Sequence, residues 1–196
     1  MKKNKIVLGL FAISFALFSF ATFRADVFNV DKSASKILWK GEKVTGFHTG
    51  EIMLSSGSFQ VEGNKVVGGS FEVDMKSMTC TDLKDKMAEK LLGHLKSDDF
   101  FGVEKFATSK LSIKKITSQG KDDYKVIADL TIKGITKEVK FPAKITLDKE
   151  LKATAKIVID RSDYDIRYGS GSFFDDLGDK TIYDNFELTI DVVAKK

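Results

Sequence analysis

Cysteine is nearly missing from this chain: 196 residues hold one, Cys80. A lone thiol cannot close an internal disulfide, so the fold must stand on its hydrophobic core. No metal-site spacing surrounds Cys80, which reads as a small, partly buried hydrophobe. Histidine is almost as scarce, with His48 and His94 the only two. Two imidazoles need further ligands to hold a metal. Asp98 and Asp99 are the nearest carboxylates in sequence, and nothing in the spacing joins them to either ring. No nucleophile stands in a motif beside a base, and no glycine-rich phosphate loop is present. The acid pairs Asp98-Asp99 and Asp175-Asp176 are loop neighbours, which suits solvation better than acid–base work. These absences argue against an enzyme.

Long hydrophobic runs are missing too. The longest, residues 6–20, is short of the roughly 20 residues a bilayer span requires. It follows Lys2, Lys3 and Lys5 and ends in Ser19-Phe20-Ala21, with small residues at −3 and −1. That pattern is a secretory signal peptide, residues 1–21, cleaved after Ala21. No cysteine follows it, so no lipoprotein anchor is indicated. Residues 22–196 then form one domain, located in the periplasm or secreted, without stable membrane insertion. The chain's net charge of +4 owes three lysines to the leader. The remainder is nearly balanced and offers nucleic acid no electrostatic footprint. No basic amphipathic face marks a membrane-docking surface. The oligomeric state stays open, a homodimer included.

What is present is alternation. Tyr124, Val126, Ala128, Leu130 and Ile132 share one face of a strand, as do Val139, Phe141, Ala143, Ile145 and Leu147 in the next. Leu151, Ala153, Ala155, Ile157 and Ile159 repeat the pattern, followed by Phe186, Leu188, Ile190 and Val192. Upstream, Trp39, Ile52, Phe59, Val61, Phe71, Val73 and Met75 mark further strands. Period-two patterning with one wet face predicts antiparallel strands. Gly57, Gly63-Asn64, Gly134 and residues 148–150 read as turns between them. The single proline, Pro142, falls outward, as an edge proline should. Short strands at regular spacing predict a sandwich or an up-and-down barrel. The inward alanines Ala128, Ala143, Ala153 and Ala155 leave two readings open: a lumen, or a core filled by larger neighbours.

One segment departs from alternation. Leu83, Met87, Leu91, Leu92 and Leu95 have helical spacing, with Asp82 expected as N-cap and Asp85 in the first turn. This helix runs into "KSDDFFGV", where Phe100 and Phe101 are expected to diverge, one sealing the helix and the other lining a cavity entrance. His48, between Gly46 and Gly50, suggests a kinked or bulged strand. Arg161 beside Asp160 reads as a rim ion pair or, with Arg167, as a partner for a phosphate or carbonyl head group. Tyr164 and Tyr168 are expected in the same region. The long segment 162–184, with its second pair Phe173-Phe174, is a candidate lid.

Several stretches in register, "SKILWKGEKVTGFHTGEI", "GGSFEVDMKSM", "HLKSDDFFGVEKF", "DLTIKGITKEVKFP" and "IDRSDYDIRY", resemble the YceI family of exported lipocalin-like proteins. Ala107 stands where that family often has proline. The resemblance implies an all-β, antiparallel eight-stranded barrel with one amphipathic helix near a mouth. It implies a binding protein for a polyisoprenoid, an isoprenoid quinone or another long apolar chain, with no catalytic constellation and no cofactor beyond such a ligand. The expected ligand contacts are Trp39, Phe47, His48, Phe71, Met75, Leu91, His94, Phe100, Phe101, Arg161, Tyr164 and Tyr168. The alternatives are an interaction or stress-response module with an incidental barrel, and a carrier of a fatty acid or amide.

Overall fold

The computed structural model describes residues 25–196; the expected signal peptide lies outside them. The alternating segments become nine antiparallel strands: β1 (Asp26–Val30), β2 (Lys36–Lys43), β3 (Gly46–Glu62), β4 (Lys65–Asp74), β5 (Thr108–Ser118), β6 (Asp123–Ile132), β7 (Ile135–Leu147), β8 (Leu151–Asp160) and β9 (Ile182–Lys195). Each of β2 to β9 pairs with its sequence neighbour, and β2 pairs with β9 to close the wall. The ninth strand adds no new position. Both β1 and β2 run antiparallel to β3, β1 against Ser58–Val61 and β2 against Gly46–Ile52, and both touch β9. They are two lengths of one stave, broken at residues 31–35, so the barrel has eight staves, as the resemblance implies.

Long staves need irregularities to curve. The β3–β4 register slips between Leu54 and Ser56, and one extra residue moves every later side chain to the other face. Ile52 and Leu54 point inward before the slip, and Phe59 and Val61 after it. Gly57, expected as a turn, is instead inside β3. A Cβ there would lie 2.7 Å from the Phe71 ring, so the glycine makes room for the aromatic opposite it. Phe71 then meets Phe59 edge-on at 4.8 Å. The expected bulge at His48 is also absent, because the β2–β3 ladder runs unbroken from Ile37↔Ile52 to Lys43↔Gly46. Pro142 lies outward, one residue beyond the last β7–β8 pair, Ala143↔Ala155. Beyond it β7 and β8 diverge, and the 3₁₀ turn Arg161–Tyr164 packs between β7 and β9.

One end of the barrel is plugged. Phe28, Val61, Val66, Leu151 and Ala194 are buried there, contributed by five different strands, and close it as ordinary packed core. The other end carries α1 (Asp85–Lys96), which begins later than its spacing predicts. Lys84 occupies the N-cap position without a side-chain cap bond, and Asp85 adopts a positive φ of 52°. Asp82 is not a cap because it is engaged elsewhere, as described below. Met87, expected on the inner face, is 66% exposed, while Leu91, Leu92 and Leu95 are half-buried. No residue of α1 is fully buried.

The segment before α1 is tied down like an extra half-strand. The N–H groups of Thr79 and Thr81 donate to the carbonyls of Glu51 and Thr49, and Trp39 Nε1 donates to Thr79 O at 3.0 Å. This strap crosses β3 at Gly50, where a Cβ would fall 1.9 Å from Thr79 O and 2.5 Å from the Trp39 ring. Gly50→Ala is therefore expected to lift the strap and lower stability by about 1–3 kcal/mol, with faster hydrogen exchange at Thr79 and Thr81. Exchange unchanged at both amides would show that the crossing tolerates a methyl.

A blind apolar tunnel as the candidate functional site

Inside the barrel the side chains leave a cavity of about 370 Å³, within the range of small-molecule sites. Its walls are almost wholly aliphatic and aromatic, and the inward alanines explain why. Ala143, Ala153 and Ala155 line it, whereas Ala128 lies in packed core outside it. Lining positions on β9 run from Ile182 to Val192. At about 3.4 Å per residue and a tilt near 40°, that stretch is roughly 25 Å along the axis. The space is a tunnel, blind at the plugged end.

Nine of the residues expected from sequence line this tunnel. Trp39, Phe71 and Met75 do so from the wall; Leu91 and His94 do so from α1, and His48 from β3. Phe100, Phe101 and Arg161 complete the set at the helix end. The expected division of labour between the two phenylalanines is not what the structure shows, since both face the cavity. Phe100 is the more buried, with His94 at 5.6 Å and Phe101 at 5.3 Å, and Phe101 reaches Phe186 at 6.1 Å. Divergence is possible because the chain here is a turn, with Phe100 N–H bonded to Ser97 O and Phe101 N–H to Leu95 O.

Three expected residues are elsewhere. Phe47 is 55% exposed beyond the tunnel wall. Tyr168 lies outside with its ring against His94 at 4.3 Å. Tyr164 is fully buried beside the tunnel rather than in it, and burial pushes its phenol up to about 12. Its hydroxyl has no hydrogen-bond partner. Tyr164→Phe removes an unpaired buried polar group, so thermal melts are expected to show equal or slightly higher stability. A clear loss would reveal a partner for the hydroxyl. Of the candidate lid, residues 162–184, Ile182 and Tyr183 line the tunnel, while Phe173 and Phe174 lie outside it and are exposed.

Arg161 is the largest correction. It is 2% exposed, and its charge partner is Asp184 at 3.1 Å rather than Asp160 at a rim. Its Nε donates to Tyr183 O, Nη1 to Ile166 O and Tyr168 O, and Nη2 to Ile182 O. A guanidinium has five N–H donors; four of them go to carbonyls of the chain, and Asp184 Oδ1 stands beside Nη2 as a counter-charge without a hydrogen bond, so the polar edge is turned to the protein rather than to a head group. What Arg161 offers the tunnel is its flat face, 5.3 Å from the Phe100 ring. Burial lowers its pKa, while Asp184 and Asp160 act to raise it. Arg167 likewise pairs with Asp165 at 2.6 Å, outside the cavity. The sequence signal for this node is Asp184, which falls in phase with the inward Phe186 and Leu188. An acid on an inward face announces a buried cation.

The open end is rimmed by Glu42, Lys43 and His48, by Leu91 and His94 of α1, and by Ile182 and Tyr183, with Ile182 paired to Lys43 across the β2–β9 seam. Two polar atoms stand out in this setting. His48 Nδ1 lies 2.8 Å from Asp82 Oδ2, and Asp82 Oδ1 accepts the Thr49 N–H at 2.8 Å. A carboxylate only accepts, so Nδ1 carries a proton and Nε2 is left for another partner. His94 Nε2 is buried with no partner at all. Among the described residues no group of three metal-ligating side chains comes together. Burial would raise the Asp82 carboxyl, but the Thr49 N–H, His48 and Cys80 outweigh it and hold the pKa below its usual value. A lowered native pKa gives stability that is present above the unfolded value, 3.8, and lost as pH falls through the lower native one. Exchange at Thr49 and Thr81 is thus expected to accelerate below about pH 4 relative to the blind end; Asp82→Asn should flatten that difference.

Comparison with known proteins agrees with this architecture. A family model of the YceI-like domain matches residues 28–194. A UPF0312 protein of Pseudomonas fluorescens is 31% identical over 71% of this chain and 72% of its own length. A UPF0312 protein of Shewanella denitrificans is 30% identical over 50% of this chain, which spans about half of that relative, 49%. Among solved structures, Burkholderia cenocepacia BcnA superposes with a TM-score of 0.69 at 21% identity, covering 85% of this chain and 99% of that one. A domain from Saccharophagus degradans, described as polyisoprenoid binding and implicated in plant cell wall breakdown, superposes with a TM-score of 0.63 at 14% identity over 86% and 97%. At such identities the structures speak for the fold alone. With the barrel, the helix at its mouth and a family match over nearly all the described residues, the chain belongs to the YceI-like family.

Proposed function

We propose that this chain is a non-catalytic carrier or reservoir for a long apolar isoprenoid-type molecule, a polyprenyl lipid or an isoprenoid quinone, acting in the periplasm or after secretion. The blind apolar tunnel carries this reading. Burial contributes roughly 25 cal/mol per Å² of apolar surface. A chain that hides about 400 Å² therefore gains about 10 kcal/mol before the costs of association. Few polar contacts are needed, and neighbouring chain lengths are separated only weakly, at about 1–3 kcal/mol per methylene. The open end supports a ligand with one polar end, because His48 lines it with Nδ1 held by Asp82 and Nε2 left to meet a carbonyl or hydroxyl. The description of the Saccharophagus neighbour as a polyisoprenoid-binding domain supports the ligand class. The interaction-module reading expects a filled lumen, and the open tunnel weighs against it.

The test is native mass spectrometry of protein purified without detergent, followed by organic extraction. Near-stoichiometric prenyl lipid or quinone is the expected result. Protein that arrives empty and also refuses added polyprenols and quinones would overturn the proposal.

A further inference from the structure

Large apolar side chains left exposed on this barrel are not spread evenly. Val27, Leu38, Met53, Val67 and Val158 are scattered singly over the wall and the plugged end. The others gather at the open end: Val44 and Phe47 on the β2–β3 hairpin, Met87 on α1, Tyr168, Phe173 and Phe174 on the loop after β8, and Tyr183 on β9. The backbone ties these tips together. Val44 N–H donates to Thr181 O, linking hairpin and loop. The strap, bonded to Thr49 and Glu51, sets the start of α1 beside the same hairpin. Tyr183 belongs to both surfaces, being 49% exposed and also part of the tunnel lining.

We infer that this rim is a docking surface for a phospholipid bilayer, through which the tunnel exchanges its ligand with the membrane. The inference rests on the carrier reading for its purpose, though not for its geometry. A ring of separate tips around a hole meets a plane at several points, which suits a membrane better than the continuous packed patch of a protein partner. The chemistry of the tips is interfacial. Lys40, paired with Glu42, lies over the Phe47 ring at 5.0 Å, and Arg167, paired with Asp165, over the Phe173 ring at 4.9 Å, so each ring suited to the acyl boundary sits beside a charge-balanced polar pair suited to headgroup depth. A long apolar ligand that left a bilayer here would enter the tunnel without crossing water. Fixed charge does not drive the contact. Lys84, Lys86 and Lys90 alternate with Asp85 and Glu89, and the loop carries Asp175, Asp176 and Asp179. Ring insertion supplies the affinity, so binding should depend weakly on salt and persist on neutral lipid.

Flotation of the purified chain with phosphatidylcholine vesicles and with phosphatidylethanolamine–phosphatidylglycerol vesicles tests this. The chain is expected to float with both, and the double variant Phe47→Ser/Phe174→Ser to bind at least about tenfold more weakly. Val158→Ser, on the wall, should bind as the parent does. Each protein is also offered a polyprenol from detergent. A rim variant that takes up ligand from detergent but not from vesicles supports docking; vesicle binding by a protein that refuses every polyprenol keeps docking and removes the carrier reading. Failure of the parent to float overturns the inference. So does light scattering that shows a dimer dissociated by the rim variant with no vesicle binding, since the rim would then serve a second copy of the chain.

Discussion

Arg161→Ala is expected to lower the melting temperature by roughly 6–20 °C, the largest loss of any single substitution considered for this barrel. Removing one partner of a buried ion pair costs about 3–5 kcal/mol, and each kcal/mol moves the midpoint by about 2–4 °C in a domain of this size. The cost has a visible source. Four carbonyls, from Ile166, Tyr168, Ile182 and Tyr183, lose their donor, and the Asp184 carboxylate loses its counter-charge. Those carbonyls belong to the two ends of the loop between β8 and β9, so the guanidinium is what holds that loop closed against the barrel. Arg161→Lys should recover only a small part, because an ammonium has three donors and no planar fork to span both loop ends. Circular dichroism melts of the three proteins decide it. A shift of under about 2 °C for alanine would mean that the loop finds other donors or water. A ligand-contact role for the guanidinium predicts something different: lost ligand uptake with an unchanged melt.

That substitution also marks where sequence reading stopped. Arg161 was visible as chemistry, a strand-end cation among tyrosines, but its partners lie 5 to 23 positions downstream, two on an aperiodic loop and three at the start of β9, where only Asp184 leaves a signal in the alternation. Alternation reports the face of a side chain and says nothing of which carbonyls converge behind it. The strands themselves were legible because each buries one face, so Tyr124 to Ile132 and Leu151 to Ile159 carry the period-two pattern without interruption. The misreadings fall where the backbone does something local. Gly57 looks like a turn in sequence and is a clearance for the Phe71 ring. Asp82 looks like a cap and is the anchor of His48 and Thr49. The helix lost its expected inner residue Met87 because it starts after the strap and lies across an opening, where one turn has nothing beneath it to pack on. The exposed rim was invisible for the same reason: it is assembled from a hairpin tip, a helix turn and a loop, none of which is amphipathic enough alone.

Ala155→Phe is expected to reduce bound ligand at least about tenfold while leaving the melting temperature equal or higher. The two inward-alanine readings that sequence left open apply to different positions in the same barrel, and this pair of variants separates them. Ala155 faces the tunnel, opposite Ala143 on β7 and Ile190 on β9. A benzyl group there enters vacant apolar space, adds contacts that the native protein lacks, and blocks the lumen partway along its length. Ala128 is 0% exposed and outside the tunnel, so the same substitution there overpacks a filled core and should cost about 1–3 kcal/mol. Extraction and mass spectrometry report the ligand, and thermal melts report the packing. If the tunnel is the binding site, Ala155→Phe loses ligand without losing stability, and Ala128→Phe loses stability first. Should Ala155→Phe retain a full complement of ligand, the molecule is held somewhere other than the lumen. Should it instead unfold the protein, the cavity between β7, β8 and β9 closes in solution. Either result would count against the carrier reading more directly than any change at the rim, because this position touches only the interior.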